Sequence, residues 1–197
     1  MKRLELSVLM AVIFCAVVSL LNVNAQYDEV RGSVLRLHIL ANSDALSDQE
    51  LKLSVRDALQ SQVDDIFAGC EDLEQAIAAA ENNTGRLRAV AEDTLRSMGC
   101  DYPVSVTVER SYFTTRTYDG FTLPAGMYNA LRVEIGAAQG RNWWCVMFPA
   151  MCVTGRDAQD ELETVLTDHQ LELLRADGYE VRLWCVEWIT ELLGGKK

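Results

Sequence analysis

The chain has 197 residues, of which 49% are hydrophobic and 24% charged, with a formal net charge of −11. That length and apolar share suit one domain with a buried core. The acidic balance repels phosphate backbones and anionic lipid headgroups, which argues against nucleic acid as a partner.

Met1-Lys2-Arg3 is a short basic start, and the apolar run from Leu6 to Leu21 is interrupted only by Ser7 and Ser19. As a helix that run would rise about 24 Å, short of the ~30 Å hydrocarbon core of a bilayer. Val23 and Ala25 place small side chains ahead of Gln26, the pattern a signal peptidase reads. Residues 1–25 are therefore expected to be a secretory signal, either cleaved or kept as an N-terminal anchor. Residues 26–197 are expected to form a single secreted α+β domain.

Val34–Leu40 is β-prone and half alternating, and reads as the first strand, ended by Asn42-Ser43-Asp44. Ser47 and Glu50 match a capping box. Leu51, Val55, Leu59, Val63 and Ile66 follow at helical spacing and predict one amphipathic helix broken at Gly69. A second short helix is predicted over Leu73, Ile77 and Ala80. A third carries Leu87, Val90, Ala91, Leu95 and Met98 and stops at Gly99. After Pro103 the period becomes two, with Val104, Val106 and Val108 on one face. Leu123 to Gly126 is a turn into a strand over Tyr128–Ile135, and Gly136 to Gly140 is the next connection. Trp143–Phe148 is apolar on both faces, as in a strand covered on both sides. A helix from Asp157 to Gly178, a strand over Tyr179–Val186 and a short helix over Trp188–Leu193 complete the order. The fold class is α+β, a mainly antiparallel sheet with amphipathic helices packed on it.

Chemistry is sparse. Cys15 leaves with the leader, so Cys70, Cys100, Cys145, Cys152 and Cys185 remain, an odd set for an oxidising compartment. Cysteine nucleophiles need a nearby base. The two histidines, His38 in a strand and His169 on the apolar side of a helix, read as core or boundary residues. Neither offers metal-ligand spacing, so no metal and no catalytic residue is expected. In the stretch RNWWCVMFPAMC, Trp143 and Trp144 read as burying large apolar surface. Pro149 ends the strand and turns the chain, which favours a Cys145–Cys152 disulfide over two buried thiols.

The segment RLHILANSD from Arg36 to Asp44, followed by Asp48-Gln49, Leu51-Lys52 and Val55-Arg56-Asp57, resembles the N-terminal signature of the stage II sporulation protein R family. LPAGMYNALRVEIG from Leu123 to Gly136 is similar to a second stretch of that family. GRNWWCVMFP from Gly140 to Pro149, with Cys152, is similar to a third, and Val186-Glu187-Trp188 to a fourth. The family usually carries two prolines before the second cysteine, whereas Ala150 follows Pro149 here. The resemblance implies a signalling protein made in the forespore and exported into the space between forespore and mother-cell membranes. Its implied partner is the extracytoplasmic face of a membrane-embedded aspartic peptidase, which then matures the mother-cell pro-sigma factor E. No cofactor, small-molecule substrate or enzymatic activity is expected. Partner contacts are expected from polar loops: Asn42, Ser43 and Asp44; Pro124, Ala125, Gly126 and Tyr128; Arg141 and Asn142; and the Arg56-Asp57 pair. For each, a turn kept for geometry or a solvated helix face is the competing reading. The competing function is an envelope hydrolase using Cys145 or His38.

Overall fold

The computed structural model describes residues 2–118, 121–149, 166, 167, 171 and 174, without the side chains of residues 2–6 and 19–26. Two compact units are distinguished, Met1–Glu29 with Ala176–Lys197, and Val30–Arg175. Helix α1 begins at Lys2 and ends at Arg31, so it runs through the expected cleavage point after Ala25. Val8, Leu9, Met10 and Phe14 on it are exposed. Among the described residues no helix is long and apolar enough to cross a membrane.

The second unit runs β1 (Leu35–Leu40), α2 (Leu46–Gln60), α3 (Val63–Ile66), α4 (Leu73–Asn82), α5 (Thr84–Ser97), β2 (Val104–Phe113), β3 (Arg116–Tyr118), β4 (Phe121–Leu123), β5 (Gly126–Ile135) and β6 (Asn142–Phe148). The main sheet has the order β2-β5-β1-β6, and β3 and β4 form a separate two-stranded sheet. β2 is antiparallel to β5 and β6 is antiparallel to β1, while β1 and β5 are parallel. Parallel neighbours need a long crossover, which α2 to α5 and β2 supply here. The architecture is α+β with a mainly antiparallel sheet, as the residue pattern predicts.

Side chains alternate across a strand, so each strand feeds two layers. Leu35, Leu37 and Ile39, with Leu131, Val133, Ile135, Cys145 and Met147, pack under Val55, Leu59, Ala76, Ala80, Leu87, Ala91 and Leu95 of the helices. On the other face Phe113, Phe121, Leu123, Tyr128, Ala130 and Val146 meet Val30, Val34, Leu166, Leu171 and Leu174. β6 is thus covered on both sides, as expected from its composition.

Three local expectations change. The capping box does not form: α2 starts at Leu46, Ala45 is its N-cap, and no side chain caps it. With the helix starting one residue before Ser47, that side chain lies inside the first turn, and its neighbour Asp48 turns inward to accept from Asn42 and Ser43. The helix through Ile66 breaks earlier than Gly69, at Ser61–Gln62, where the Ser61 N–H bonds the Asp57 carbonyl. Gly69, with φ 78°, follows α3. Trp143 and Trp144 are half-buried rather than core-filling. As strand neighbours they point to opposite faces, each covering the rim of one cluster. Gly99 does take the left-handed cap, with φ 77°, and the Cys100 N–H reaches back to the Leu95 carbonyl. Of the expected helix after Asp157, Leu171 and Leu174 are helical, and the Leu171 N–H bonds the Thr167 carbonyl at 3.0 Å. Cys152, His169, Cys185 and the elements expected over 179–193 lie outside the described residues.

Candidate functional site

The register of the sheet sorts the expected contact residues into two groups. β1 leaves the sheet at Leu40, opposite Glu134 of β5 and Asn142 of β6. Asn42-Ser43-Asp44, the Gly136–Gly140 connection and Arg141-Asn142 therefore share one end. Pro124 to Tyr128 sit at the other end, where Leu35 pairs with Asn129. A strand of this length separates the two groups by about 20 Å.

The first group is built on Asp48, which is 6% exposed. Its Oδ2 accepts from Asn42 Nδ2 at 2.8 Å and from Ser43 Oγ at 2.5 Å. The Tyr102 hydroxyl favours the ionised carboxylate as well. Ser43, Asn42 and Tyr102 together hold the Asp48 carboxyl below its ordinary range, against the opposing effect of burial. Asn42 also accepts from the Ala137 N–H at 2.9 Å, and its carbonyl accepts from the Gln139 N–H at 3.2 Å. Gly140 donates to the Ala41 carbonyl at 2.9 Å, and a Cβ at Gly140 would collide with the Ser43 carbonyl oxygen. Only glycine allows that approach. Lys52, 4% exposed, donates to Gln49 Oε1 at 2.6 Å and to the Arg141 carbonyl at 3.0 Å. Burial lowers the Lys52 ammonium pKa, and Asp44 works against that.

On this frame Asp44, Arg141 and Asn142 are exposed. The Arg141 N–H donates to Asp44 Oδ1 at 2.8 Å, and their side chains stand 3.8 Å apart as an ion pair. Arg56 and Asp57 pair with each other at 2.5 Å. The Arg56 guanidinium also lies 4.5 Å from the centre of the Trp143 ring. Asn42 and Ser43, expected as contacts, are half-buried and spent on internal hydrogen bonds.

The second group is mostly scaffold. Tyr128 is 0% exposed, so its placement among the contact residues is corrected: it is core. Its hydroxyl donates to the Pro124 carbonyl at 2.6 Å, and burial pushes its pKa to about 12. Pro124 is buried, the Ala125 carbonyl accepts from Arg31 Nη2 at 2.8 Å, and the Arg31 side chain lies where a Gly126 Cβ would be.

The hydrolase residues do not meet. Leu37 pairs with Cys145 and His38 with Trp144, which puts the thiol position and the imidazole on opposite faces of the sheet. His38 Nε2 meets Asn142 Oδ1 at 3.0 Å, and its ring packs against Phe113 and Trp144. Burial lowers the His38 pKa, opposed by the Asn142 hydrogen bond. Cys145 is 5% exposed and disulfide-bonded, with its partner outside the described residues. Cys70 and Cys100 are free thiols.

The model of the stage II sporulation protein R family matches residues 31–158. The chain belongs to that family. A relative in Bacillus subtilis (strain 168) carries the same description, stage II sporulation protein R. It is 31% identical over 185 residues, covering 83% of each chain. No solved structure matches. The family match covers both ends of the sheet, from Arg31 through β6.

Sequence reasoning missed Asp48, Lys52 and Tyr102 as the frame of the exposed loop. Asp48 carried a signal, since its neighbours Ser47 and Glu50 spelled a cap, but a local pattern cannot report a hydrogen bond from a strand end. Nothing local marks Tyr102 or Gly140 as its neighbours.

Proposed function

We propose that this chain is an exported sporulation signal whose target is the extracytoplasmic face of a membrane-embedded aspartic peptidase. Engaging that peptidase leads to maturation of the mother-cell pro-sigma factor E, and the chain itself makes and breaks no covalent bond. Family membership supports the sporulation role, and the apolar run from Leu6 to Leu21 supports export. One observation carries the ligand reading: Asp44, Arg141 and Asn142 are exposed side by side on a frame of buried hydrogen bonds. A ligand shifts a receptor only by binding one of its states better than another. A preorganised polar loop suits that task, because little ordering entropy is lost on contact. Asp57 and Arg56 extend the surface along α2. The hydrolase alternative is weakened because His38 and Cys145 lie on opposite faces of the sheet. We further propose Cys152 as the disulfide partner of Cys145, closed by the turn at Pro149.

The test is co-expression of the chain with the membrane peptidase and its pro-sigma substrate. Processing is expected with the wild type, and with His38→Ala once its export is confirmed, and is expected to fall with the Asp44→Ala/Arg141→Ala double variant. Processing in the absence of this chain would defeat the proposal. Peptide mapping with and without reduction checks the disulfide.

A further inference from the structure

The second face of the sheet holds a charge that the fold leaves largely unanswered. Arg36, in the middle of β1, is 0% exposed. Its guanidinium carbon lies 4.1 Å from the centre of the Phe113 ring and 4.9 Å from that of Tyr128. Nη2 donates to the Tyr118 hydroxyl at 2.7 Å. Nε and Nη1 are buried, and no described residue accepts a hydrogen bond from either.

Guanidinium presents five N–H donors in a planar fork that matches the two oxygens of a carboxylate. Ring faces and one phenol oxygen answer part of that charge, but they accept none of the hydrogen bonds from Nε and Nη1. Exposed Arg88 and Arg110 make no ion pair among the described residues, and water answers their charge; Arg36 is buried and has no such recourse. Arg56, Arg86, Arg96, Arg132 and Arg141 each pair with an Asp or Glu. No such pair is made by Arg36 or by Arg116 among the described residues. Arg116 stands exposed at the rim of the same cluster, 4.3 Å above the Trp144 ring. Tyr118 and Trp144 are half-exposed, so Arg36 lies one side chain below solvent. In a chain with a net charge of −11, acidic side chains are plentiful, and none of the described ones is placed here.

We infer that the free Nε and Nη1 donors of Arg36, with Arg116 at the rim, form a recognition site for a carboxylate. The carboxylate belongs either to a small organic acid or to an Asp or Glu side chain of an acidic protein segment. The inference is independent of the signalling role, since it rests on the donors alone.

The experiment follows the arginine Nε–H resonances of the full-length chain by NMR during titration. The titrants are sodium acetate, a short glutamate-rich peptide, and sodium chloride at matched ionic strength. The Arg36 Nε–H signal is expected to move saturably with acetate or peptide and not with chloride. Tighter binding of the peptide per carboxylate identifies a protein segment as the source, and tighter binding of acetate a small acid. Arg116→Gln, an exposed change that leaves the core intact, is expected to weaken binding about tenfold, the size of one charge-assisted hydrogen bond. In Arg36→Lys the Nε–H signal of Arg116 at the rim, which moves saturably with carboxylate in the wild type, is expected to stop responding. An Arg36 signal indifferent to both carboxylates, or equally moved by chloride, overturns the inference. So does unchanged affinity in Arg116→Gln.

Discussion

Asp48 and Arg36 are both charges taken out of water, and their surroundings differ in kind. Asp48 receives hydrogen bonds from Asn42 and Ser43. Arg36 is wrapped in aromatic rings and, among the described residues, gives one hydrogen bond, to Tyr118. A buried charge whose hydrogen bonds are all met locks a structure, and removing it strands its partners. A buried charge met only in part adds little to stability, and its retention calls for another explanation. The first arrangement fixes a loop; the second is free to receive something.

The sharpest way to break this contrast is to delete each charge. Asp48→Ala is expected to lower unfolding stability by about 3 kcal/mol, because the donors of Asn42 and Ser43 are left without an acceptor. Urea denaturation measures it, and a loss as small as that of a surface mutation would remove Asp48 from the frame. Gly140→Ala, which sets a Cβ against the Ser43 carbonyl, is expected to cost about 2 kcal/mol by the same assay. Arg36→Met sits at the opposite pole: a buried charge replaced by an apolar chain of similar length should be neutral or stabilising by about 1 kcal/mol. If Arg36→Met proves as damaging as Asp48→Ala, the two charges are alike and the comparison fails.

Acid provides a finer test. The folded-state pKa of Asp48 is depressed, so its contribution is fully present above the unfolded value of about 3.9 and is lost as pH falls through the folded value. Wild type should therefore lose more stability than Asp48→Asn between about pH 4 and pH 2. Parallel curves for the two proteins would show that the carboxylate is not held by its neighbours. The smallest effect is expected at the rim, where Arg56→Ala removes the guanidinium from the Trp143 ring. A loss of about 0.5–1 kcal/mol, with a shift in tryptophan emission, is the expected outcome.

Periodicity located the strands and helices because burial imposes it: Leu35, Leu37 and Ile39 alternate, and Val55 and Leu59 recur at helical spacing, since each faces the same layer. The glycine stop at Gly99 was legible for a similar reason, as only local backbone geometry is involved. Ser47 misled because a capping box is a pattern of four residues, while Asp48 answers to Asn42 and Ser43 from the preceding strand end. Trp143 and Trp144 looked like core because their size is visible in sequence and their orientation is not.

The amino-acid order alone determined the α+β class, the family and the elements β1, α4, α5, β2, β5 and β6, all of which rest on local periodicity or contiguous motifs, while the short α3, β3 and β4 carry too few residues to show a period. Only the tertiary structure decided that β1 lies between β5 and β6, parallel to the first and antiparallel to the second. That register brings Asp44 to Arg141, buries Tyr128, and separates His38 from Cys145. Pairing between strands some 90 residues apart is set by which faces can be buried together, and that energy belongs to the assembled layers rather than to any segment.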